Sequence, residues 1–450
     1  MSELTADSIR RCLEGDVPAS IATCAPDGTP NVTLLSQVQY VDSQHVALSY
    51  QFFSKTRENI LANPLAQLEL IDPVTGAVFQ LSLRYLRTET AGPLFENMKA
   101  KLAGIASHTG MQGVFRLLGA DIYRVQAIQA VPGLLMPEPP RPNLLAATRA
   151  CCERLALGGE MAEMLDHLLD DIRRHFGIEH AMVLMLDDAA QRLYTLASTG
   201  YDFSGVGSEI PVGIGIIGVA ARERTPIRIT HFTADYIYSR AIRQSSAAAG
   251  LPGAIETEIP LPGLAEPHSQ LAVPIIGGGR LFGILFAEST EERRFGYDEE
   301  DALATVAAQL GFAFAATATR AGLAADDNLS PQPLIAPPSG PPSLVRHYAG
   351  DESIFIDDDY LIKGVAGAIF WKLVREYAAG RRSEFTNKEL RVDAGLRLPA
   401  LSENLEARLI LLERRLAERC TFIGIEKTGR GRFRLAVRRP VKLVEMPGGV

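Results

Sequence analysis

Two proline-rich stretches constrain this chain more than any other feature. Residues 132–142 carry Pro137, Pro139, Pro140 and Pro142, and residues 326–343 carry Pro331, Pro333, Pro337, Pro338, Pro341 and Pro342. Proline fixes φ and removes a backbone donor, so neither stretch runs inside a helix or a central strand. The 450 residues are already too many for one ordinary core. The prolines divide them into about 1–135, 140–325 and 345–450, with 326–344 as a linker. A hydrophobic fraction of 47% against 22% charged residues lets each segment build a core of its own.

Several classes are set aside next. The start Met1-Ser2-Glu3-Leu4-Thr5-Ala6-Asp7 has no basic stretch leading into an apolar run, so no signal peptide is expected. No apolar run approaches the roughly 18 residues of a spanning helix. The run from Leu271 to Ala287 comes nearest, but Gly277-Gly278-Gly279-Arg280 cuts it as a hairpin turn would. Five cysteines at irregular spacing make no disulfide framework. A reduced, cytoplasmic protein is expected. The net charge of −8 conceals an asymmetry: from Arg346 onward there are 20 Lys and Arg against 15 Asp and Glu, and before it 25 against 38. An acidic body with a basic tail places any nucleic-acid contact in the tail.

In the first segment, Ser20–Thr23, Asn31–Tyr40, His45–Tyr50, Ala66–Ile71 and Val78–Leu86 read as strands, Leu94–Leu102 as a helix and Ile122–Val125 as a last strand. Antiparallel strands in this number close into a small barrel. The stretch Ser54-Lys55-Thr56-Arg57, followed by Asn63-Pro64, opens a helix with hydroxyls and cations in its first turn. Free N–H groups with positive charge there make an anion site. These pieces resemble the FMN-binding split barrel of the pyridoxamine 5′-phosphate oxidase family. The resemblance implies FMN as cofactor, with Ser54, Lys55, Thr56 and Arg57 at the flavin phosphate. It implies Leu34, Leu35, Ser36 and Gln37 along the isoalloxazine and ribityl chain. Tyr50 and Gln51 would stand at the phosphate or ring, and Gln80 would reach the ring across a dimer. Thr56 splits the family's cation pair, and an empty barrel kept as a scaffold is the alternative.

In the second segment Met164, Leu165, Leu168, Leu169, Ile172 and Phe176 recur at helical spacing. His167, Asp171 and His175 share the flank of that helix and read as a solvated edge rather than a metal site. Strands are expected at Ala181–Leu186, Leu193–Ala197, Gln270–Ile276 and Leu281–Ala287, and a final helix from Asp298 to Arg320. Gly213, Gly215 and Gly218 spell G-x-G-x-x-G, but the helix behind them stops near Arg224-Thr225-Pro226, too soon for a dinucleotide site. The run Pro211–Ala221, the strand Leu271–Ile275 and Gly283–Glu288 resemble the GAF domain, a PAS-like α/β sensor fold. The resemblance implies a small ligand of unknown identity under the loop 236–258, where Arg240, Arg243 and Glu256 are polar candidates. Cys151-Cys152 lies in the helix joining barrel and sensor. Flanked by Arg149 and Arg154, the pair reads as a redox switch or as two small packed residues.

The third segment reads as a strand at Ser353–Ile356, helices at Ala366–Tyr377, from Thr386 and at Ser402–Cys420, and a hairpin of Thr421–Glu426 and Arg432–Val437. Thr386-Asn387-Lys388-Glu389 is a capping box. Leu405, Leu409, Leu412 and Leu416 stripe the third helix, with Arg408 and Arg415 seven apart opposite them. The Gly-Arg-Gly-Arg-Phe-Arg-Leu ending resembles the winged-helix effector domain of two-component response regulators. That implies DNA contact through Arg408, Arg414, Arg415 and Arg419 in a groove, and through Lys427, Arg430 and Arg432 on the wing. The bland reading is a winged helix used for protein contact.

The fold class expected is therefore multidomain: a β split barrel, an α/β GAF domain, then an α+β winged helix. The function expected is a one-component transcription regulator, homodimeric through barrel and GAF helices, that senses redox state or a ligand. The alternatives are a flavin-dependent oxidoreductase with regulatory appendages and a signalling scaffold.

Overall fold

The computed structural model describes residues 4–14, 17, 19–35, 37–51, 55–108, 116–138, 140, 143–229, 259–323, 338–393, 396, 405–429 and 431–446. Four sheets organise them.

The first sheet is built from β1 (Ala19–Cys24), β2 (Pro30–Leu35), β3 (Val38–Asp42), β4 (His45–Tyr50), β5 (Leu65–Ile71), β6 (Val78–Glu89) and β7 (Gly119–Val131). Their spatial order is β2-β1-β5-β6-β7-β4-β3, all antiparallel. Helix α1 (Lys55–Ala62) follows β4, and α2 (Pro93–His108) follows β6. β1 turns into β2 through Asp27-Gly28. There Gly28 takes φ +88°, and Asp27 Oδ1 accepts the Thr29 N–H at 2.9 Å. The sequence predicts one strand from Asn31 to Tyr40. It is two, β2 and β3, and these consecutive strands form opposite edges of the sheet, so the sheet curls on itself. Ile21, Val46, Leu48, Leu68, Leu70, Leu81, Leu83 and Tyr123 fill its interior. A 3-10 turn, Ala6–Leu13, closes one side with Ile9 and Leu13. β7 is far longer than its expected four residues. Its outer half is exposed, but the ladder to β6 continues to Val78 opposite Val131.

The second unit opens with α3 (Leu144–Ala156) and α4 (Met161–Phe176), stopped by Gly177 in the left-handed conformation. Six antiparallel strands follow: β8 (His180–Asp187), β9 (Arg192–Thr199), β10 (Glu209–Pro211), β11 (Ile227–Ile229), β12 (Ser269–Gly277) and β13 (Arg280–Ser289). Their order is β10-β9-β8-β13-β12-β11. Alternation sends Leu271, Val273, Ile275, Leu285 and Ala287 to the face covered by α4 and α6 (Tyr297–Leu323). Met182, Leu184, Ala272, Ile284 and Phe286 go to the opposite face, under α5 (Gly215–Glu223).

The third unit holds β14 (Ser343–Tyr348), β15 (Ser353–Ile356), β16 (Asp359–Ile362), α7 (Gly364–Gly380), β17 (Glu384–Thr386), α8 (Asn387–Val392), α9 (Leu405–Arg419), β18 (Ile423–Gly429), β19 (Arg432–Val437) and β20 (Val441–Met446). The N-cap half of the expected capping box forms: Thr386 Oγ1 accepts the Glu389 N–H at 3.2 Å. β14 pairs in parallel with β20, a strand the sequence did not announce. Among the described residues no helix is long and apolar enough to cross a membrane.

Candidate functional site

The anion-binding candidates sit where β4 gives way to α1. Asn59, 1% exposed, donates to Thr23 Oγ1 at 3.1 Å and pins α1 to β1. Thr56 is also buried, and its Oγ1 accepts from Asn31 Nδ2 at 2.8 Å. Lys55 faces solvent, with Glu58 at 3.8 Å. Arg57 does something the sequence did not announce. Its guanidinium donates to Asp121 Oδ1 at 2.5 Å and to Thr88 Oγ1 at 2.9 Å, and stacks 4.6 Å from the Tyr50 ring centroid. Burial pushes the Asp121 carboxyl above the usual range, while Thr88 and Arg57 pull it back. A carboxylate of this chain thus holds the cation expected at the phosphate, and Lys55 is left as the solvent-facing charge.

Along the ring side, Gln37 is buried, and its Oε1 has no hydrogen-bond partner among the described residues. Gln51 Nε2 donates to Ser49 Oγ at 3.4 Å beside Tyr50. Leu35 packs on the barrel core, whereas Leu34 is 73% exposed. Gln80 lies in the cross-strand row Leu34, Ser20, Glu69, Gln80 and donates to Glu69 Oε2 at 3.2 Å. That row is on the outer face. Ser36 and Ser54 lie outside the described residues.

In the second unit a polar cluster closes one end of the face under α5. Glu288, 2% exposed, accepts the Leu264 N–H at 2.7 Å and Gln270 Nε2 at 2.9 Å, and the Tyr201 hydroxyl faces it. Burial pushes the Glu288 carboxyl up, and the hydrogen bonds from Gln270 and the Leu264 N–H oppose this. The His180 ring lies 5.4 Å from that of Tyr201. The sequence reading passed over Glu288 as a strand end; the signal was an acidic residue closing an apolar strand. The loop 236–258, with Arg240, Arg243 and Glu256, lies outside the described residues.

The glycines serve the turn. Gly213 takes φ +89° and Gly215 φ +62°, and a Cβ at Gly218 would stand 2.4 Å from the Pro211 carbonyl oxygen. Cys151 is fully buried, and burial pushes its thiol up to about 12. Cys152 is pushed up by the same cause. Arg149 is bound to Glu153 and Arg154 to Asp171, and the pull of Arg154 that lowers Cys151 is smaller than the effect of burial. Asp171 is buried against Arg154, and no group of three metal-ligating side chains occurs among the described residues.

Of the cations expected at DNA, two are buried and others are held by acids of this chain. Arg408 is 5% and Arg415 3% exposed. Arg408 Nη2 donates to Asp187 Oδ2 at 2.6 Å and its guanidinium lies 4.2 Å from the Tyr194 ring centroid. Arg414 donates to Asp166 Oδ1 at 2.6 Å and to the Leu196 carbonyl at 3.2 Å. Arg415 donates to the Leu361 carbonyl at 3.0 Å. Lys427 Nζ reaches Glu160 Oε2 at 2.5 Å. Arg432 is half-buried, Arg419 is exposed, and Arg430 lies outside the described residues.

Two family models match parts of the chain: pyridoxamine 5′-phosphate oxidase over residues 5–110, and the GAF domain over residues 159–315. The protein is thus multidomain, an N-terminal split-barrel domain followed by a GAF domain. A search of the curated proteins returned no match. Similar solved structures include the GAF domain of an Acinetobacter phosphoenolpyruvate-protein phosphotransferase, at 18% identity over 41% of this chain and 97% of that one, with a TM-score of 0.31. An FMN-binding protein from Syntrophomonas wolfei subsp. wolfei is 11% identical over 28% and 87%, with a TM-score of 0.24. Free methionine-R-sulfoxide reductase from Neisseria meningitidis, solved with its substrate, is 17% identical over 39% and 91%, with a TM-score of 0.31.

Proposed function

We propose that the protein is a one-component regulator in which a flavin-binding barrel and a GAF domain govern a DNA-binding winged helix. The observation that carries the reading is the element order of the third unit. The succession of helix α7, the β17–α8 turn, α9 and the β18–β19 hairpin supports reading it as a helix-turn-helix with a wing.

The barrel residues fit FMN with one adjustment. Lys55 and the first-turn N–H groups of α1 would hold the phosphate, and Gln37 Oε1 is a buried acceptor in want of a donor such as a ring N–H. Arg57 would orient Tyr50 and balance Asp121 rather than bind phosphate directly. A bound flavin supplies a reversible redox centre. Val32, Leu34, Leu65 and Ile71 expose apolar side chains on the barrel, which supports a second copy of the chain there. Asp27, Lys55 and Gln80 stay accessible around that surface.

Full-length protein titrated with FMN, then with duplex DNA at low and high salt in the oxidised and reduced states, tests the reading. It expects flavin absorbance that stays with the protein, duplex binding that weakens with salt, and a redox-dependent affinity. Absence of FMN binding removes the flavin input, and redox-independent DNA affinity removes the flavin as the signal.

A further inference from the structure

We propose that the GAF domain silences the third unit by setting its own carboxylates against the cations that α9 and the hairpin would present to DNA phosphates. This rests on the DNA-binding reading above. The match is made cation by cation. Arg408 meets Asp187 at the end of β8, Arg414 meets Asp166 on α4, and Lys427 meets Glu160 at the start of α4. On α9, Glu418 accepts from Ser204 and binds Arg415 at 3.0 Å. Leu411 and Arg415 of α9 lie against Gly207 of the GAF domain, 3.6 Å from where a Cβ there would stand, so the helix is seated in van der Waals contact. With Arg408 and Arg415 buried, no duplex reaches them in this arrangement.

The chemistry of the contact favours a reversible latch over a permanent joint. Charge-assisted bonds from arginine to carboxylate and to phosphate are alike in geometry, so a duplex replaces each acid with an equivalent partner. Interfaces rich in ion pairs also resemble transient ones. The latch shares a strand with the sensing face: β8 carries Asp187 at its end and places Met182 and Leu184 beneath α5. Rearrangement on that face can therefore reach Asp187 through one strand.

The test uses full-length Glu160→Ala/Asp166→Ala, two partly exposed acids whose removal spares the cores. A control, Glu291→Ala/Glu292→Ala, removes the same charge elsewhere. Hydrogen exchange of residues 405–419 reports the contact, and titration with generic duplex reports DNA affinity. The proposal expects faster exchange in α9 and at least tenfold tighter duplex binding than in the control. Unchanged exchange, or binding equal to the control despite faster exchange, overturns the latch. If exchange rises and no protein binds duplex even at low salt, the DNA-binding reading itself falls. To guard against misfolding, Asp187→Asn, which keeps the shape at the Arg408 site, is expected to move both readouts in the same direction.

Discussion

The balance between Lys55, Arg57 and Asp121 decides how the barrel treats an anion. On the proposed FMN reading, Lys55→Ala would remove a charge-assisted hydrogen bond to the flavin phosphate, worth about 1.5–3 kcal/mol. FMN affinity should fall about ten- to a hundredfold on fluorescence titration. Asp121→Asn keeps the shape and frees Arg57, so FMN should bind about tenfold more tightly, near 1.4 kcal/mol. An Asp121→Asn protein with unchanged or weaker FMN affinity would show that Arg57 is structural only. The pH sign follows from burial. Because the folded Asp121 carboxyl titrates above its unfolded value, the folded state binds the extra proton. Stability from this group therefore falls as pH rises through that window, and the Arg57 cation is released as pH drops into it. The sequence displayed Lys55, Thr56 and Arg57 as a group, yet concealed Asp121. Its carboxylate arrives from β7, 64 residues beyond Arg57, at a register no local pattern encodes.

At the scale of elements, close approaches matter more than propensity. A Cβ at Gly218 meets backbone rather than a flexible side-chain end. Gly218→Ala should cost about 1–3 kcal/mol by overpacking and lower the thermal midpoint of the GAF domain, read by calorimetry; an unchanged midpoint would contradict the close packing of α5. This also shows why a G-x-G-x-x-G string deceives: the glycines fit a tight turn onto a short helix. Helix α4 was legible because Met164, Leu165, Leu168, Leu169, Ile172 and Phe176 repeat its period and are all buried. β14 and β20 were not, since each is short, partly exposed and paired with a strand far along the chain. The split of β2 from β3 was likewise hidden, because residues on both sides favour strand and only closure of the barrel demands the break.

For the whole molecule, charge is spent internally. Arg228 of the GAF domain, 6% exposed, binds Glu14 of the barrel segment at 3.3 Å and Glu300 at 2.9 Å. Lys101 adds a further contact to Glu14 at 3.8 Å. Removing one partner of a buried pair costs about 3–5 kcal/mol, so Arg228→Met should split barrel and GAF unfolding into two calorimetric transitions. A single unshifted transition would mean that the network does not couple them. The acidic body and basic tail were plain in the composition. Their meeting across α9 was not, because charge counts carry no geometry. The parallel pairing of β14 with β20 has a consequence in time. Ser343 waits for Val441, which a ribosome adds about 5–20 s later at ordinary elongation rates. During that interval β14 offers one open edge to any neighbouring nascent chain, so crowded polysomes, rather than heat or denaturant, are the setting in which this protein is most exposed to misassembly.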